Sequence, residues 1–172
     1  MSEYEKLLEI YKKSAILESI SEVLEWDHEV MMPEGALPIR ARQSSTLAAL
    51  GHDILTCDEI RGLLVALEKG NFNSDQAANI REIKRASERA KNVPNELVQE
   101  LEDTRIKGVE AWKEARKKND YTLFSSHLGK VFVLSRKVAE YIDPNTHPYE
   151  VLLEEYEQDI SIEEIRNHLN KI

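Results

Sequence analysis

The spacing of apolar residues is helical along almost the whole chain. In the first segment, small and apolar side chains recur in alternating steps of three and four, at Leu7, Ile10, Ser14, Leu17, Ser21 and Leu24. This alternation is typical of a helix that packs against another helix. The stretch from Trp26 to Gly35 contains Pro33 and interrupts the pattern, so we expect the first helix to end just before Trp26.

Two helices are expected in the next part of the chain. The first covers about residues 37–51, with Pro38 tolerated in its opening turn. Thr56 and Glu59 then have the pattern of a capping box, in which Thr56 is the N-cap and the Glu59 side chain reaches back to it. This signal predicts a short helix that ends at Gly70.

A helical hairpin is predicted in the second half of the chain. Ser74 is the expected N-cap of a helix that continues to about Lys91, and Pro94 separates this helix from the next. Two long helices with apolar residues in steps of four and three follow, and the polar residues 119–120 join them. So short a connection favours an antiparallel pair. Small residues on the first of the two, Gly108 among them, would let a neighbouring helix approach closely.

The last part of the chain contains signals for a turn and two short helices. Residues 143–145, with the sequence Asp-Pro-Asn, predict the turn, and a short helix is expected over 149–157. Ser161 and Glu164 form a second capping-box pattern, which opens a helix with apolar residues as far as Ile172. Because no glycine follows this pattern, we expect that a longer chain was cut there.

Composition narrows the class of protein. The 172 residues fit one domain, 1–172, without a linker, and the helical pattern makes the expected fold all-α, with long antiparallel helices and helical hairpins. A formal charge of −9 disfavours a nucleic-acid partner. The longest apolar run, 63–67, is too short to span a membrane, so no membrane partner is expected. A single cysteine and an N-terminus without a secretory pattern make the cytoplasm the expected location.

Metal chemistry would need ligands at a characteristic spacing. A hydrolytic zinc site usually takes two histidines four positions apart on one helix face, with a third ligand from elsewhere. His28 begins such a motif, but Met32 occupies the second ligand position. The two closest histidines, His127 and His147, are 20 positions apart. We therefore expect His28 to be a surface or loop residue; a site assembled from distant histidines and carboxylates is the alternative.

Two other residues are candidates for chemistry, each with a structural alternative. Cys57 is expected near a helix start, where a thiol can become a nucleophile, but a small residue at the start of a helix is the simpler interpretation. Asp27, next to Trp26, could be an acid–base group. An aspartate there more often caps a turn or pairs with an arginine, and Arg40 and Arg42 are the nearest candidates in the sequence.

A basic cluster lies in the middle of the chain. Glu82 and Glu88 are interleaved with its cations at helical spacing, and no aromatic residue is. This pattern favours a solvated helix face with ion pairs over a nucleic-acid site. The cluster consists of Arg81, Lys84, Arg85, Arg89 and Lys91.

Several stretches, taken together and in order, resemble one family. The most specific are LEWD at 24–27, VMMPEGA at 30–36, RARQ at 40–43, and AWKEAR at 111–116 with NDY at 119–121. Further matches lie at 78–82, 93–98, 147–149 and 152–157. In this order and spacing the chain resembles the N-terminal part of the M32 metallocarboxypeptidases, also called Taq-type or thermostable carboxypeptidases. The resemblance extends from about Tyr4 to the end of the chain.

The resemblance implies an all-helical fold in which long N-terminal helices form one wall and the roof of a deep cleft. It implies a cytoplasmic, commonly homodimeric enzyme that removes residues one at a time from peptide C-termini. Zinc or cobalt would activate water, with a glutamate as general base. The family's His-Glu-x-x-His motif and third ligand lie beyond the matched region, so no catalytic residue, metal residue or cofactor is assigned to this chain. The residues that match the family pattern, expected to be mainly architectural, are Trp26, Asp27, Met32, Pro33, Arg42, Arg81, Trp112 and Arg116.

Three functional hypotheses follow. The first is a module without catalytic activity of its own: a gene remnant, or an interaction or regulatory piece. The second is one part of a split zinc metallocarboxypeptidase, completed by a chain that carries the metal motif, and the third is an unrelated helical adaptor. In the first two, a face that a larger enzyme would bury meets water. We therefore expect self-association, as a two-fold homodimer, or association with a chain that carries the catalytic part.

Overall fold

The molecule is built from α-helices joined by short connections. The computed structural model describes residues 1–171, and within these residues the regular structure consists of helices alone. The prediction of an all-α fold is therefore confirmed. A single 3₁₀ turn, Glu34–Ala36, precedes the second helix. The helices are α1 (Glu3–Val30), α2 (Leu37–Thr56), α3 (Asp58–Leu67), α4 (Ser74–Ala90), α5 (Asn95–Lys118), α6 (Thr122–Ile142), α7 (Pro148–Leu153) and α8 (Ile162–Leu169).

Helix α1 is longer than the sequence pattern predicts. A capping box starts it: the Ser2 hydroxyl accepts the Glu5 N–H at 3.3 Å, and the Glu5 carboxylate accepts the Ser2 N–H at 2.7 Å. The helix continues to Val30, so the prediction that Trp26 and Asp27 follow its end is wrong. The apolar stripe is interrupted by polar residues there, but polar side chains do not break the backbone hydrogen bonds of a helix.

The junction between α2 and α3 differs from the predicted capping box. Helix α2 continues to Thr56, whose hydroxyl donates back to the His52 carbonyl at 2.9 Å. Cys57 instead caps α3, since its Sγ accepts the Ile60 N–H at 3.5 Å. The prediction of Thr56 and Glu59 as a capping box is therefore wrong. A threonine inside a helix can satisfy its hydroxyl on the carbonyl four residues earlier, and this local bond replaces the capping role.

The start of α4 lies one residue away from the predicted position. Asn73, not Ser74, is the N-cap, and Ser74 is the first helical residue. The Asn73 side chain accepts the Gln76 N–H at 2.9 Å, while the Gln76 side chain accepts the Asn73 N–H at 3.2 Å. This reciprocal pair is a capping box in which asparagine and glutamine take the usual roles of serine and glutamate. The predicted break at Pro94 is confirmed, because α4 ends at Ala90 and α5 begins just after the proline.

Helices α5 and α6 form the predicted antiparallel hairpin. Asn119 adopts the left-handed conformation, with φ 51°, and ends α5. Residues 119–121 then reverse the chain into α6. A Cβ added at Gly108 of α5 would lie 3.9 Å from the His127 Cβ of α6, so the small residue permits close contact between the two helices. The start of α5 packs on the second half of α6 through Val93, Leu97, Leu101 and Leu134.

Helix α2 is central to the arrangement. It packs along α1 on one side and along α5 on the other, and α5 in turn packs on α6. Helix α3 packs on α1, and α4 packs on α2 and α3. A first apolar core forms where α1, α3 and α4 meet, and its members are Leu7, Ile60, Leu64, Leu67 and Ile83. A second core forms between α5 and α6.

The turn after α6 forms as predicted. The Asp143 carboxylate accepts the Asn145 N–H at 2.9 Å and the Thr146 hydroxyl at 2.6 Å. These bonds lower the pKa of the Asp143 carboxyl, the Thr146 hydroxyl contributing most. Helix α7 follows, and it ends at Leu153, earlier than the predicted 157.

The second predicted capping box is confirmed at the start of α8. The Ser161 hydroxyl accepts the Glu164 N–H at 3.2 Å, and the Glu164 carboxylate accepts the Ser161 N–H at 2.9 Å. Ile172, which the sequence pattern assigns to this helix, lies outside the described residues. Within residues 1–171, none of the helices combines the length and the apolar character that crossing a membrane requires.

The first core gives a direct test of the fold. Leu7 is completely buried in it, so Leu7→Ala should reduce the free energy of unfolding by about 2–5 kcal/mol through the lost burial and the cavity. Leu50→Ala is the matched control, because Leu50 lies in the middle of α2 but is 47% exposed, and its loss should be below about 1 kcal/mol. Urea unfolding followed by far-UV circular dichroism measures both; equal losses would contradict the assigned core.

Candidate functional site

A groove lies between α1, α2 and α5. Its volume is about 720 Å³, within the range of clefts that hold ligands or peptide segments. We call it the acidic groove, because its edge carries carboxylates and its floor is apolar. The floor residues come from all three helices and are Leu17, Leu47, Ala48, Leu55, Val98, Ile106 and Val109.

Helix α1 supplies most of the negative charge. Glu18, Glu22, Glu25 and Glu29 all line the acidic groove, at intervals of four, three and four residues that place them on one helix face. Like charges at these intervals repel one another and destabilise an isolated helix. The negative charge of Glu29 is compensated by Lys113, whose Nζ lies 3.5 Å from the Glu29 carboxylate. The other three glutamates form no ion pair within residues 1–171.

Helix α5 adds one carboxylate and one guanidinium to the acidic groove, Glu102 and Arg105. Burial raises the pKa of the Glu102 carboxyl above its usual range. The positive charge of Arg105 opposes this rise, and the negative charge of Glu25 adds to it. Because burial and a like charge both disfavour the ionised form, a further positive charge placed in the groove would stabilise the Glu102 carboxylate.

His52 borders the acidic groove from α2. Its Nε2 lies 3.1 Å from the Ala90 carbonyl oxygen, which can only accept, so Nε2 carries the proton in this contact. The other ring nitrogen, Nδ1, is buried and has no hydrogen-bond partner within residues 1–171. In this tautomer Nδ1 is an acceptor, and a buried acceptor without a donor is unfavourable.

His28 joins the end of α1 to the middle of α5. The prediction of a surface or loop histidine is wrong, because the His28 side chain is 2% exposed and its Nε2 lies 2.8 Å from the Glu110 carboxylate. Lys113 binds the same oxygen at 2.9 Å. Burial disfavours the Glu110 carboxylate, but the bonds from Lys113 and His28 outweigh it, so the pKa of Glu110 lies below its usual value. The cluster ties the two helices together.

Asp27 pairs with Arg40, as one of the two sequence alternatives proposed. The Arg40 guanidinium donates to the Asp27 carboxylate and to the Leu24 carbonyl, and its Nε donates to the Gln43 side chain at 3.2 Å. The Arg40 side chain is 11% exposed, which makes the contact less screened than a surface pair. This contact connects the end of α1 to the start of α2.

The other residues of the family pattern are spread over several elements. Trp26 is 59% exposed on α1, Pro33 and Met32 lie between α1 and α2, and Arg42 is exposed on α2. On α5 the Arg116 guanidinium lies 5.2 Å from the centre of the Trp112 ring, within the range of a cation–π contact. Their expected architectural role stays a prediction. Arg81, the last residue of the family pattern, lies on the exposed side of α4 and pairs with Glu82 at 2.9 Å.

The basic cluster on α4 forms ion pairs, but it also has a second role. Lys84 pairs with Glu68 at 2.8 Å, as expected for a solvated helix face. Arg89 donates to the Val151 carbonyl at 3.0 Å, and Arg85 donates to the carbonyl and the carboxylate of Glu154. These two arginines therefore satisfy backbone carbonyls at the end of α7 and attach that helix to α4.

The candidate metal ligands of the described residues are spread over several helices. Within residues 1–171, no group of three or more His, Cys, Asp or Glu side chains is placed to hold a metal. The His28 side chain is hydrogen-bonded to the Glu110 carboxylate, and Met32 lies beyond the end of α1. The thiol of Cys57 accepts a backbone N–H at the start of α3, which matches the structural interpretation of that residue.

The acidic groove is the feature that sequence reasoning misses. The helical spacing of Glu18, Glu22, Glu25 and Glu29 is visible in the sequence and is the signal that could have found it. The contribution of Glu102 is not visible, because that residue is distant in sequence and reaches the groove only through the packing of α5 on α2.

Comparison with known proteins identifies the family of the chain. The family described as Carboxypeptidase Taq (M32) metallopeptidase matches residues 6–172. Thermostable carboxypeptidase 1 of Thermus thermophilus is 31% identical over 94% of this chain, and the protein of the same name from Pyrococcus furiosus is 30% identical over 93%. The matches cover 34% and 32% of those two proteins, so the chain spans about a third of the length of these relatives.

Solved structures agree on the fold. The crystal structure of BsuCP superposes on 99% of this chain with a TM-score of 0.92 and 21% identity, and the match covers 35% of that protein. The structure of the Pyrococcus furiosus carboxypeptidase superposes on 99% of this chain with a TM-score of 0.78 and 27% identity, and it covers 34% of that protein. The predicted resemblance to the M32 family is confirmed.

The cluster around Glu110 predicts a pH dependence of stability. Because the folded-state pKa of Glu110 is lowered, its contribution is present above the unfolded pKa of about 4.3 and is lost as the pH falls through the folded value. Glu110→Gln should lower the free energy of unfolding by about 1 kcal/mol at neutral pH, and this difference should shrink towards zero in acid. Glu140→Gln, at an exposed position of α6, is the control. Urea unfolding at several pH values measures the difference, and a pH-independent loss would contradict the assignment.

Proposed function

The chain belongs to the M32 carboxypeptidase family, and on that premise we propose that these 172 residues are a helical framework of a metallocarboxypeptidase and do not hydrolyse peptides by themselves. One observation carries the proposal: the family match runs through residues 6–172, yet the His-Glu-x-x-His motif does not occur among them. A zinc hydrolase needs its metal ligands to lower the pKa of the attacking water. Hydrolysis therefore requires a segment that carries this motif, on the same polypeptide or on another.

The packing of the long helices supports a framework role. Asp27 with Arg40 and His28 with Glu110 connect α1 to α2 and to α5 through contacts that are largely shielded from water. A framework of this kind would hold one side of a peptide-binding cleft in place while another segment supplies the chemistry. On this proposal zinc or cobalt belongs to the segment with the metal motif and not to these residues. The single cysteine is consistent with a cytoplasmic location.

A second candidate, one part of a split metallocarboxypeptidase, is favoured by an exposed apolar surface on α1. We call it the α1 outer face; it consists of Ile16, Ile20, Val23, Trp26 and Val30, which are between 42% and 64% exposed. Their spacing of three or four residues gives a continuous stripe along the helix. Monomeric proteins rarely leave extended apolar stripes in contact with water, so this face would be covered by a partner. A chain that carries the metal motif is one such partner, and a second copy of this chain is the other.

The first prediction from this proposal concerns activity. The purified 172-residue chain, supplied with zinc or cobalt, should release no C-terminal amino acid from N-blocked peptides above background, because it cannot assemble the metal site. The carboxypeptidase of Thermus thermophilus, assayed under the same conditions, is the positive control. Adding a polypeptide that carries the metal-binding part of that relative tests the split-enzyme candidate, which requires activity to appear only in the mixture. Peptide hydrolysis that co-purifies with the chain alone and is inhibited by a chelator would contradict the framework proposal.

The second prediction concerns the α1 outer face. If a second copy covers it, the chain should sediment as a dimer at micromolar concentration, and the double substitution Ile20→Lys with Val23→Lys should yield monomers, because buried ammonium groups oppose the contact. Val65→Lys on α3 is the control, since Val65 is 69% exposed and lies away from this face. Analytical ultracentrifugation distinguishes the states. A monomeric parent chain, or a dimer that survives the double substitution, would rule out a homodimer through this face.

A further inference from the structure

The acidic groove and the α1 outer face are different sides of the same helix. The glutamates at 18, 22, 25 and 29 point to the groove side, where α2 and α5 provide the opposite wall. Its floor is apolar over much of its length, and the described lining has five carboxylates against one arginine. An apolar floor with an acidic edge would complement an amphipathic segment whose polar side is basic.

Most of the carboxylates that line the acidic groove form no ion pair within the described part of the chain. Within residues 1–171, Glu18, Glu22, Glu25 and Glu102 take part in no ion pair at 4.0 Å or less. The first three repel one another along α1, and the partly buried Glu102 adds its charge from α5. Arg105 is the opposing cation on this wall, and Lys113 is occupied by Glu29 and Glu110. The acidic groove would therefore bind a positively charged group.

The spacing of the glutamates identifies the shape of the occupant. Residues three and four apart on α1 rise by about 4.5 and 6 Å along the helix axis. A partner helix repeats its side chains at the same alternating intervals, so each of its cations can meet a carboxylate. An extended strand repeats same-face side chains every 6.5–7 Å or so, and its cations would drift out of register with the glutamates.

We infer that the acidic groove is a docking surface for an amphipathic helix of a partner protein, with lysine or arginine at three- and four-residue spacing beside an apolar stripe. The apolar stripe would lie on Leu17, Leu47 and Val98, and the cations would face the α1 glutamates. This inference goes beyond the proposed function. It concerns the 172-residue chain alone and is tested without any peptidase assay.

The test uses synthetic peptides as probes. A fluorescein-labelled helical peptide of about 16 residues, long enough to follow the groove, carries lysines at the stated spacing beside leucines and alanines. A second peptide has glutamate in place of every lysine, and a third has the composition of the first in scrambled order. Fluorescence anisotropy with the parent chain should show saturable binding of the first peptide only, weakened by added salt because the contacts are ionic.

Variants of the chain locate the binding. The triple substitution Glu18→Gln, Glu22→Gln and Glu25→Gln should weaken binding of the lysine peptide about tenfold, the expected effect of three partly exposed ion pairs. The control triple, with the same change of net charge, replaces three exposed glutamates outside the groove: Glu9→Gln, Glu59→Gln and Glu140→Gln. It should change the affinity by less than about twofold. Far-UV circular dichroism confirms that both variants fold.

Several outcomes would overturn the inference. These are no saturable binding of the lysine peptide, equal binding of the glutamate or scrambled peptide, and equal weakening by the two triple variants. A change of oligomeric state in the groove variant, with peptide binding unchanged, would instead assign the groove to a second copy of the chain. If the groove variant fails to fold, the peptide comparison and the salt dependence on the parent chain still decide the question.

Discussion

Close packing against both sides of α2 is the constraint on which the rest of the structure depends. Helix α2 contacts α1 and α5 at once, and its buried positions are accordingly small: Ala41 and Ser44 are almost completely buried. Gly51 continues this series, and a Cβ there would lie 3.9 Å from the Ser14 hydroxyl of α1. Small side chains let the axes of neighbouring helices approach closely, which increases the van der Waals contact between the helices.

The same constraint produces the acidic groove. Small residues in the middle of α2 leave space between the helices. Longer side chains of α1 and α5 surround this space and form the groove. Helix α1 therefore has three environments along one length: a side buried on its neighbours, an acidic side at the groove, and an apolar outer face exposed to water. An acidic side and an apolar side on one helix are the physical basis of our proposal that these residues form a framework with more than one partner.

Sequence reasoning succeeded where the signal was local and failed where a distant contact decided the outcome. The capping box at Ser161 and the break at Pro94 were predictable, because each depends on residues within four positions. The cap at Thr56 was wrong because α2 extends farther along its neighbours than its own pattern indicates. The prediction of a surface position for His28 is wrong because its partner, Glu110, lies 82 positions away in the sequence. Helix ends and buried polar pairs of this kind depend on which helices become neighbours.

The sequence by itself determined the all-α class, the hairpin of α5 and α6, and the resemblance to the M32 family, because apolar periodicity, turn residues and ordered motifs are properties of short stretches. Only the tertiary structure decided that His28 and Glu110 pair, that Arg85 and Arg89 hold α7, and that Glu102 joins the α1 glutamates around one groove. The physical reason is that burial and electrostatic interaction depend on distance in space. A helical pattern specifies which side of a helix is apolar, but the neighbour that covers this side is chosen by the packing of the whole chain.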